Sequence, residues 1–220
     1  MPLNKQKGNM YPWVTHTWNA VKGRCWHRCS YCYMKRFWSK LKEPYLDEKC
    51  LQDDLGEGNI IFVGSSIDLF AKNIPSRWIS KVLEYCHKYP RNTYLFQSKN
   101  PARFKEFLEE FPEKTILGTT IETNRNYDLS RAPQPIERAK AFKEIKGMKK
   151  MVSVEPIIDF DVEEMVEIIK ECNPYFVSIG ADSKGNNLPE PNANKVRKLI
   201  EELEKFTQVK VKDNLYRILR

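Results

Sequence analysis

The chain has 220 residues, of which 41% are hydrophobic, 12% aromatic and 30% charged, with a formal charge of +8. This composition excludes disordered, coiled-coil and collagen-like classes, and at roughly 100–200 residues per domain the length allows one compact domain, expected over 1–220. No apolar run reaches the ~18 residues of a membrane span, and Met1–Gly8 lacks the apolar stretch of a signal peptide, so a cytoplasmic monomer is expected.

In chain order, a first strand is expected over Trp13–Trp18, followed by a cysteine-rich loop, 22–34. A second strand at Asn59–Ser65 leads to a helix at Ser76–His87, where Trp78, Ile79, Val82, Leu83 and Cys86 share a face. Strands follow at Asn92–Gln97, Thr115–Ile121 and Met151–Glu155. The next helix, Asp161–Glu171, carries Val162, Met165, Val166 and Ile169 on one face and opens with Asp161 and Glu164 at cap and third positions. After a strand at Tyr175–Gly180, the C-terminal part, 191–220, holds a helix at Asn194–Phe206 and a last strand at Val209–Lys212.

Repeated β-then-α alternation with nearly continuous apolar strands implies a parallel sheet with helical crossovers. Six or seven units are too few for a closed eight-unit barrel. The expected fold is therefore α/β, a partial (β/α)6-type open barrel with parallel strands, with a doubly wound open sheet as the alternative. In both, ligands bind beyond the carboxyl ends of the strands.

Charge is unevenly placed. Residues 1–50 carry ten Lys/Arg against three Asp/Glu. Such a field attracts phosphates and other anions, and it also describes an ordinary solvated surface; charge alone leaves both open. Of the six cysteines, Cys25, Cys29 and Cys32 fall within eight residues, which favours metal or redox chemistry over disulfides. Three thiolates leave one coordination position open, unlike a closed structural zinc site. His27 as a fourth zinc ligand sits awkwardly inside the first cysteine interval.

The spacing C-x3-C-x2-C after strand one, with Tyr31 just before the last cysteine, resembles the radical SAM superfamily. The stretch Tyr11–Asn19 and the strand ends Gln97–Pro101 and Ser153–Pro156 resemble a small radical SAM group carried by phages and prokaryotes, and more distantly the spore photoproduct lyase branch. The resemblance implies that Cys25, Cys29 and Cys32 ligate a 4Fe-4S cluster whose fourth iron binds S-adenosylmethionine (SAM). Reductive cleavage of SAM would then yield a 5′-deoxyadenosyl radical that abstracts hydrogen from a substrate, with an electron donor such as flavodoxin or ferredoxin as partner. Lys22, Arg24 and Arg28 either favour the anionic cluster or are merely exposed.

The same resemblance points to cofactor-binding residues around the mouth. Gly64, Ser65 and Ser66 stand where the family holds the methionine end of SAM, in place of the commoner Gly-Gly-Glu, with Asp68 either joining them or capping the next turn. Lys99 follows strand three and suits a carboxylate or substrate anion. Glu122 and Asn124 follow strand four, where a carboxylate would bind ribose hydroxyls rather than serve as a strand-end salt bridge. Glu155 ends strand five before Pro156; Asp182, Ser183, Lys212 and Asn214 are also at the mouth. Cys86 and Cys172 are expected in the core, and Cys50 has no evident role.

Aromatic residues Trp13, Trp18, Trp26, Tyr31, Tyr33, Phe37 and Trp38 interleave with Lys22, Arg24, Arg28, Lys35, Arg36, Lys40 and Lys42. This pattern fits a nucleic acid or nucleotide substrate, for modification or DNA repair, and it equally describes aromatics that pack the barrel and hold the cysteine loop with the lysines outside. The alternatives are a radical SAM enzyme acting on a peptide or small metabolite, and a non-enzymatic iron-sulfur or zinc module that binds nucleic acid.

Overall fold

The computed structural model describes residues 3–220. Its main sheet contains β1 (Asn4–Lys5), β2 (His16–Trp18), β5 (Ile60–Val63), β6 (Thr93–Ser98), β7 (Thr115–Thr120), β8 (Lys149–Val154), β9 (Phe176–Ile179) and β10 (Gln208–Val211), side by side in that order. A separate two-stranded ribbon pairs β3 (Val21–Lys22) with β4 (Tyr45–Leu46). Within the main sheet every pairing from β2 to β10 is parallel and β1 is antiparallel to β2, with Asn4 opposite Thr17; the β3–β4 ribbon is antiparallel.

The strand order never reverses, which distinguishes an open barrel from a doubly wound sheet. With every crossover turning the same way, the connecting elements form one layer: α1 (Ser76–His87), the 3₁₀ segment Pro101–Glu110, α2 (Pro135–Lys143), α3 (Val162–Glu171) and α4 (Ala193–Glu204), each packed on the next. A four-residue α5 (Tyr216–Leu219) ends the chain against α4.

The buried faces follow the spacing of the sequence. Ile79, Val82, Leu83 and Cys86 of α1 face the sheet, as do Met165 and Ile169 of α3 and Val196, Leu199 and Leu203 of α4. Each large apolar side chain removed from water contributes about 1.5–3 kcal/mol. All six residues of β7 are buried, as a central parallel strand covered on both faces requires.

The concave face is filled differently. Leu95, Ile116, Met151 and Phe176 from successive strands meet Tyr11 and Val14 of the N-terminal segment in a second core, with Met10, Trp13 and Phe62 around it. Trp13 stacks on Tyr11 at 5.3 Å and meets Phe176 edge-on at 5.0 Å. The segment before β2 thus plugs one end of the half-barrel and leaves the other open. Trp13 to Thr15, expected in the first strand, belong to this plug, and β2 begins at His16.

Two expectations about the helices need correction. Asp161 occupies the N-cap position of α3 but makes no side-chain cap; its carboxylate takes Arg125 Nε at 2.8 Å, and Glu164 accepts Asn124 Nδ2 at 2.7 Å. A charged partner outside the helix outcompetes the local box. Helix α2, not expected from periodicity, opens with Pro135 and a real capping box between Gln134 and Glu137.

Candidate functional site

At the carboxyl end of the strands lies a cavity of about 270 Å³, lined by side chains from nearly every strand end. Cys25, Cys29 and Cys32 all line it. The loop that carries them runs from β3, and its thiols carry no disulfide. Burial, reinforced by the charge of Asp68, pushes the Cys25 thiol up to about 12, and burial also raises that of Cys29.

His27 fixes this loop from within. Its Nε2 lies 2.7 Å from the Asp68 carboxylate, so it is engaged with a side chain instead of completing a zinc shell. Asp68 also accepts Ser98 Oγ at 3.0 Å and the Lys99 backbone N–H at 2.8 Å, while its other oxygen accepts the Phe70 N–H at 2.9 Å. The turn cap weighed for Asp68 is present, yet the larger effect is to lock the cysteine loop to β6. Against the cost of burial, the His27 imidazole holds this carboxyl below its usual range.

Gly64, Ser65 and Ser66 form the turn after β5 and line the cavity beside the thiols. Gly64 has φ +79°, and a Cβ there would stand 3.1 Å from the Ile67 carbonyl oxygen, so the turn demands glycine. Asn19 holds the serines: its Oδ1 accepts the Ser66 N–H and Oγ, each at 2.9 Å, and its Nδ2 reaches Ser65 Oγ at 3.2 Å. The sequence offered no signal for this role beyond the position of Asn19 at the end of strand one.

Tyr31 and Lys99 line the same cavity. Both turn toward Glu122, Tyr31 through its hydroxyl and Lys99 at 3.5 Å. Glu122 itself does not line the cavity; it is buried and paired with Arg138 of α2 at 2.9 Å. Burial alone would raise its carboxyl, but Arg138 and Lys99 outweigh that and hold it at about 2. The salt-bridge role set aside for Glu122 is thus the one in place. Asn124 is similarly internal, its amide shared between Glu164 and the Asp161 N–H.

The opposite wall is a second polar cluster. Glu155 accepts Lys212 Nζ at 2.7 Å and Asn9 Nδ2 at 3.0 Å, and burial raises its carboxyl despite the lysine. Tyr11 donates to Gln97 or Ser153, at 2.9 and 2.8 Å. Asn9, Tyr11 and Gln97 had no expected role in the site; Asn9 and Tyr11 reach it because the N-terminal plug ends at the cavity, and Gln97 because it lies near the carboxyl end of β6. Asp182 and Ser183 line the rim, with the Asp182 carboxylate taken up by the Lys184 N–H and Asn186, while Asn214 braces Ala181 from outside.

The aromatic and basic residues of the first fifty divide. Trp18 is fully buried against Tyr85, and Lys22 pairs with Asp47 at 2.5 Å while Arg24 donates to the Leu41 carbonyl. These brace the fold, and the expected influence of Lys22 and Arg24 on the cysteines has no contact behind it. Tyr33 and Phe37 are exposed, with Arg36 4.7 Å over the Phe37 ring and Lys35 and Lys40 exposed beside them. Cys50, Cys86 and Cys172 are buried in the core. No helix among the described residues is long and apolar enough to cross a membrane.

The open parallel barrel, with the cysteine loop at the carboxyl ends of its strands, is similar in fold to spore photoproduct lyase and anSMEcpe. A spore photoproduct lyase mutant matches with a TM-score of 0.68 at 12% identity, over 94% of this chain and 78% of that one. A second mutant, with bound AdoMet and dinucleoside spore photoproduct, matches at 0.60 and 13%, over 91% of this chain and 64% of that one. AnSMEcpe with bound AdoMet and a peptide matches at 0.50 and 13%, over 89% and 62%. The chain therefore spans less than two thirds of the last two. By sequence it belongs, over residues 9–187, to the family described as "Protein of unknown function (DUF5131)". No curated protein matches it.

Proposed function

We propose that the protein is a radical SAM enzyme that binds a 4Fe-4S cluster through Cys25, Cys29 and Cys32 and SAM in the adjoining cavity, and acts on a nucleic acid or nucleotide. The observation that carries this is the convergence of three thiols with the Gly64–Ser66 turn on one cavity, in a radical SAM fold.

The donor set fits the cluster. Three thiols free of disulfides share one wall of the cavity, as a cubane that takes one thiolate per iron and leaves its fourth iron to SAM requires. When bound, the cluster supplies the electron that cleaves the sulfonium of SAM. The chain's own part is positional. Asn19 sets the hydroxyls of Ser65 and Ser66, and Lys99 offers a cation for a carboxylate, held by Glu122 and, 5.4 Å away, by the Tyr31 ring. The N-terminal plug closes the barrel below and excludes water.

Two features support nucleic acid. Tyr33, at the rim, and Phe37 offer exposed rings among Lys35, Arg36 and Lys40, and the fold's neighbours include a lyase with a bound dinucleoside. A peptide substrate is the second reading, favoured by the peptide bound in anSMEcpe. Anaerobic reconstitution with iron and sulfide, then dithionite and SAM, tests the core of the proposal. 5′-Deoxyadenosine is expected; a spectroscopically intact cluster that neither binds nor cleaves SAM overturns it in favour of a binding module. Oligonucleotides against peptides, as stimulants of that cleavage, then separate the two substrates.

A further inference from the structure

Glu155 and Lys212 hold an ion pair in the cavity wall opposite the cysteines, with only 5% of the lysine side chain exposed. Lys212 Nζ reaches Oε1 at 2.7 Å and Oε2 at 3.0 Å. The backbone makes room for both: a Cβ on Gly180 would stand 3.0 Å from Glu155 Cδ and 3.1 Å from Lys212 Cδ. Desolvating two charges offsets most of their attraction, so a pair set into a wall adds little stability on its own account.

Asn9 completes this pair in a particular way. Its backbone carbonyl accepts from Lys212 Nζ, and its side-chain Nδ2 donates to Glu155 Oε1 at 3.0 Å. The pair thus grips one C=O and one N–H side by side, both presented by a single residue. Among the described residues these are the only polar bonds of Asn9. It is exposed at the cavity edge, and the aromatic stacking of the plug starts only at Tyr11, so Asn9 can leave without unpacking the plug.

A hydrogen-bond acceptor beside an N–H is the pattern of a nucleobase edge. A trans peptide unit does not offer it, because its C=O and N–H point to opposite sides of the chain. The same cavity supplies apolar surfaces for the faces of a base in Tyr11, Phe62 and Met10. From this geometry we infer that Glu155 and Lys212 form the subsite that reads the edge of a substrate nucleobase, and that Asn9 is a built-in stand-in which the base displaces. The inference rests on the proposed nucleic-acid substrate. Lys212 donates to the acceptor of the base in place of the Asn9 carbonyl, and Glu155 accepts its N–H in place of Asn9 Nδ2. Because Asn9 competes with the base, weakening its hold tightens base binding.

Fluorescence anisotropy of a labelled single-stranded oligonucleotide tests this on the full chain, beside an abasic strand of equal length that keeps the phosphates. Asn9→Ala removes the competing N–H and is expected to tighten the oligonucleotide by about three- to tenfold, the worth of one hydrogen bond. Glu155→Gln combined with Lys212→Met removes both charges together and is expected to weaken it at least about tenfold. Affinity for the abasic strand should stay within about twofold in both variants. Opposite shifts in the two variants are an effect that a merely structural pair does not give. Matching melting temperatures exclude unfolding; where the double variant melts lower, Asn9→Ala decides alone. Oligonucleotide affinity that ignores Asn9→Ala, or an abasic strand that responds as the full one does, overturns the inference and leaves the nucleic-acid reading standing. A double variant that loses SAM affinity by calorimetry while keeping the oligonucleotide overturns it too, by giving the pair to SAM. No oligonucleotide binding by either wild type or Asn9→Ala overturns both readings. A glutamine-bearing peptide, whose carboxamide offers the same C=O and N–H, overturns the nucleobase assignment if it alone binds with these opposite shifts.

Discussion

His27 and Asp68, 41 residues apart, meet at 2.7 Å beneath the cysteine loop, and through the second carboxylate bonds to Ser98 and Lys99 this pair welds the loop to the end of β6. Position 27 carries no thiolate, yet it decides where the neighbouring thiolates stand. A buried carboxylate with four donors leaves several of them unsatisfied when it is removed. Asp68→Ala is expected to lower stability by about 2–3 kcal/mol and to lower iron uptake, with Asp68→Asn intermediate. Denaturant melts and iron analysis check this; a wild-type melt would show that the loop is held elsewhere.

On the proposed function, Cys25→Ala, Cys29→Ala and Cys32→Ala are each expected to abolish 5′-deoxyadenosine formation and bleach the cluster absorbance, because each thiol would contribute one of three ligands. Cys86→Ala and Cys172→Ala, both deep in the helix-side core, should keep cleavage and lose only stability. Full iron in a variant lacking all three loop cysteines would sink the cluster assignment.

Asn19→Ala offers a test of the serine turn. It removes the acceptor that holds the Ser66 N–H and hydroxyl while leaving the thiols untouched. The expected result is a SAM dissociation constant raised by roughly tenfold, the worth of about one hydrogen bond, with cluster absorbance unchanged. Calorimetric titration with SAM reads it; unchanged affinity would mean that the turn stands without Asn19 or lies off the SAM site.

How far the sequence foretold this site depends on the range of each interaction. The core strands were legible because β5 to β9 are short apolar runs separated by longer connecting segments, and the cysteine loop because its spacing is local. The strands β1, β3 and β4, two residues each, are too short to show a period, and α2 was hidden because its buried face includes Arg138 beside Ala139 and Phe142. Missing α2 meant missing the partner of Glu122. A carboxylate after a strand looked available to ribose when its neutralising guanidinium lay 16 residues ahead on a helix without apolar periodicity. Asn19 with Ser66 and His27 with Asp68 likewise depend on which loops the barrel brings together at its mouth.

Glu122 also gives the protein a defined acid response. Its folded carboxyl, held at about 2, lies below the unfolded value near 4.5, so the folded state binds the proton more weakly. This contribution to stability is present above pH ~4.5 and is lost as pH falls toward about 2. Glu122→Gln leaves the buried Arg138 guanidinium without its counter-charge and is expected to cost about 3–5 kcal/mol at pH 7. Because wild type loses the same charge on protonation, the gap between the two should narrow through that acid window. Arg138 also donates to the Thr120 and Pro133 carbonyls. Urea titrations at several pH values measure the gap; one independent of pH would mean that Glu122 is protonated already and that those carbonyls alone hold Arg138.

The exposed rim provides the last test. Tyr33 and Phe37 stand clear of the core while Arg36 and Lys35 flank them, so bases would stack on the rings as the cations follow the phosphates. Tyr33→Ala with Phe37→Ala is expected to weaken binding of a single-stranded oligonucleotide by about 1–3 kcal/mol per lost stacked base and to leave the salt slope alone. Arg36→Gln should do the reverse, flattening the dependence of log K on log salt by about 0.7 with a smaller loss at high salt. Tyr33 also holds the Ser65 carbonyl through its hydroxyl at 3.0 Å, so SAM affinity must be followed in parallel to keep the two effects apart. Oligonucleotide binding that ignores both salt and the rings would remove the rim from the substrate path and favour a peptide.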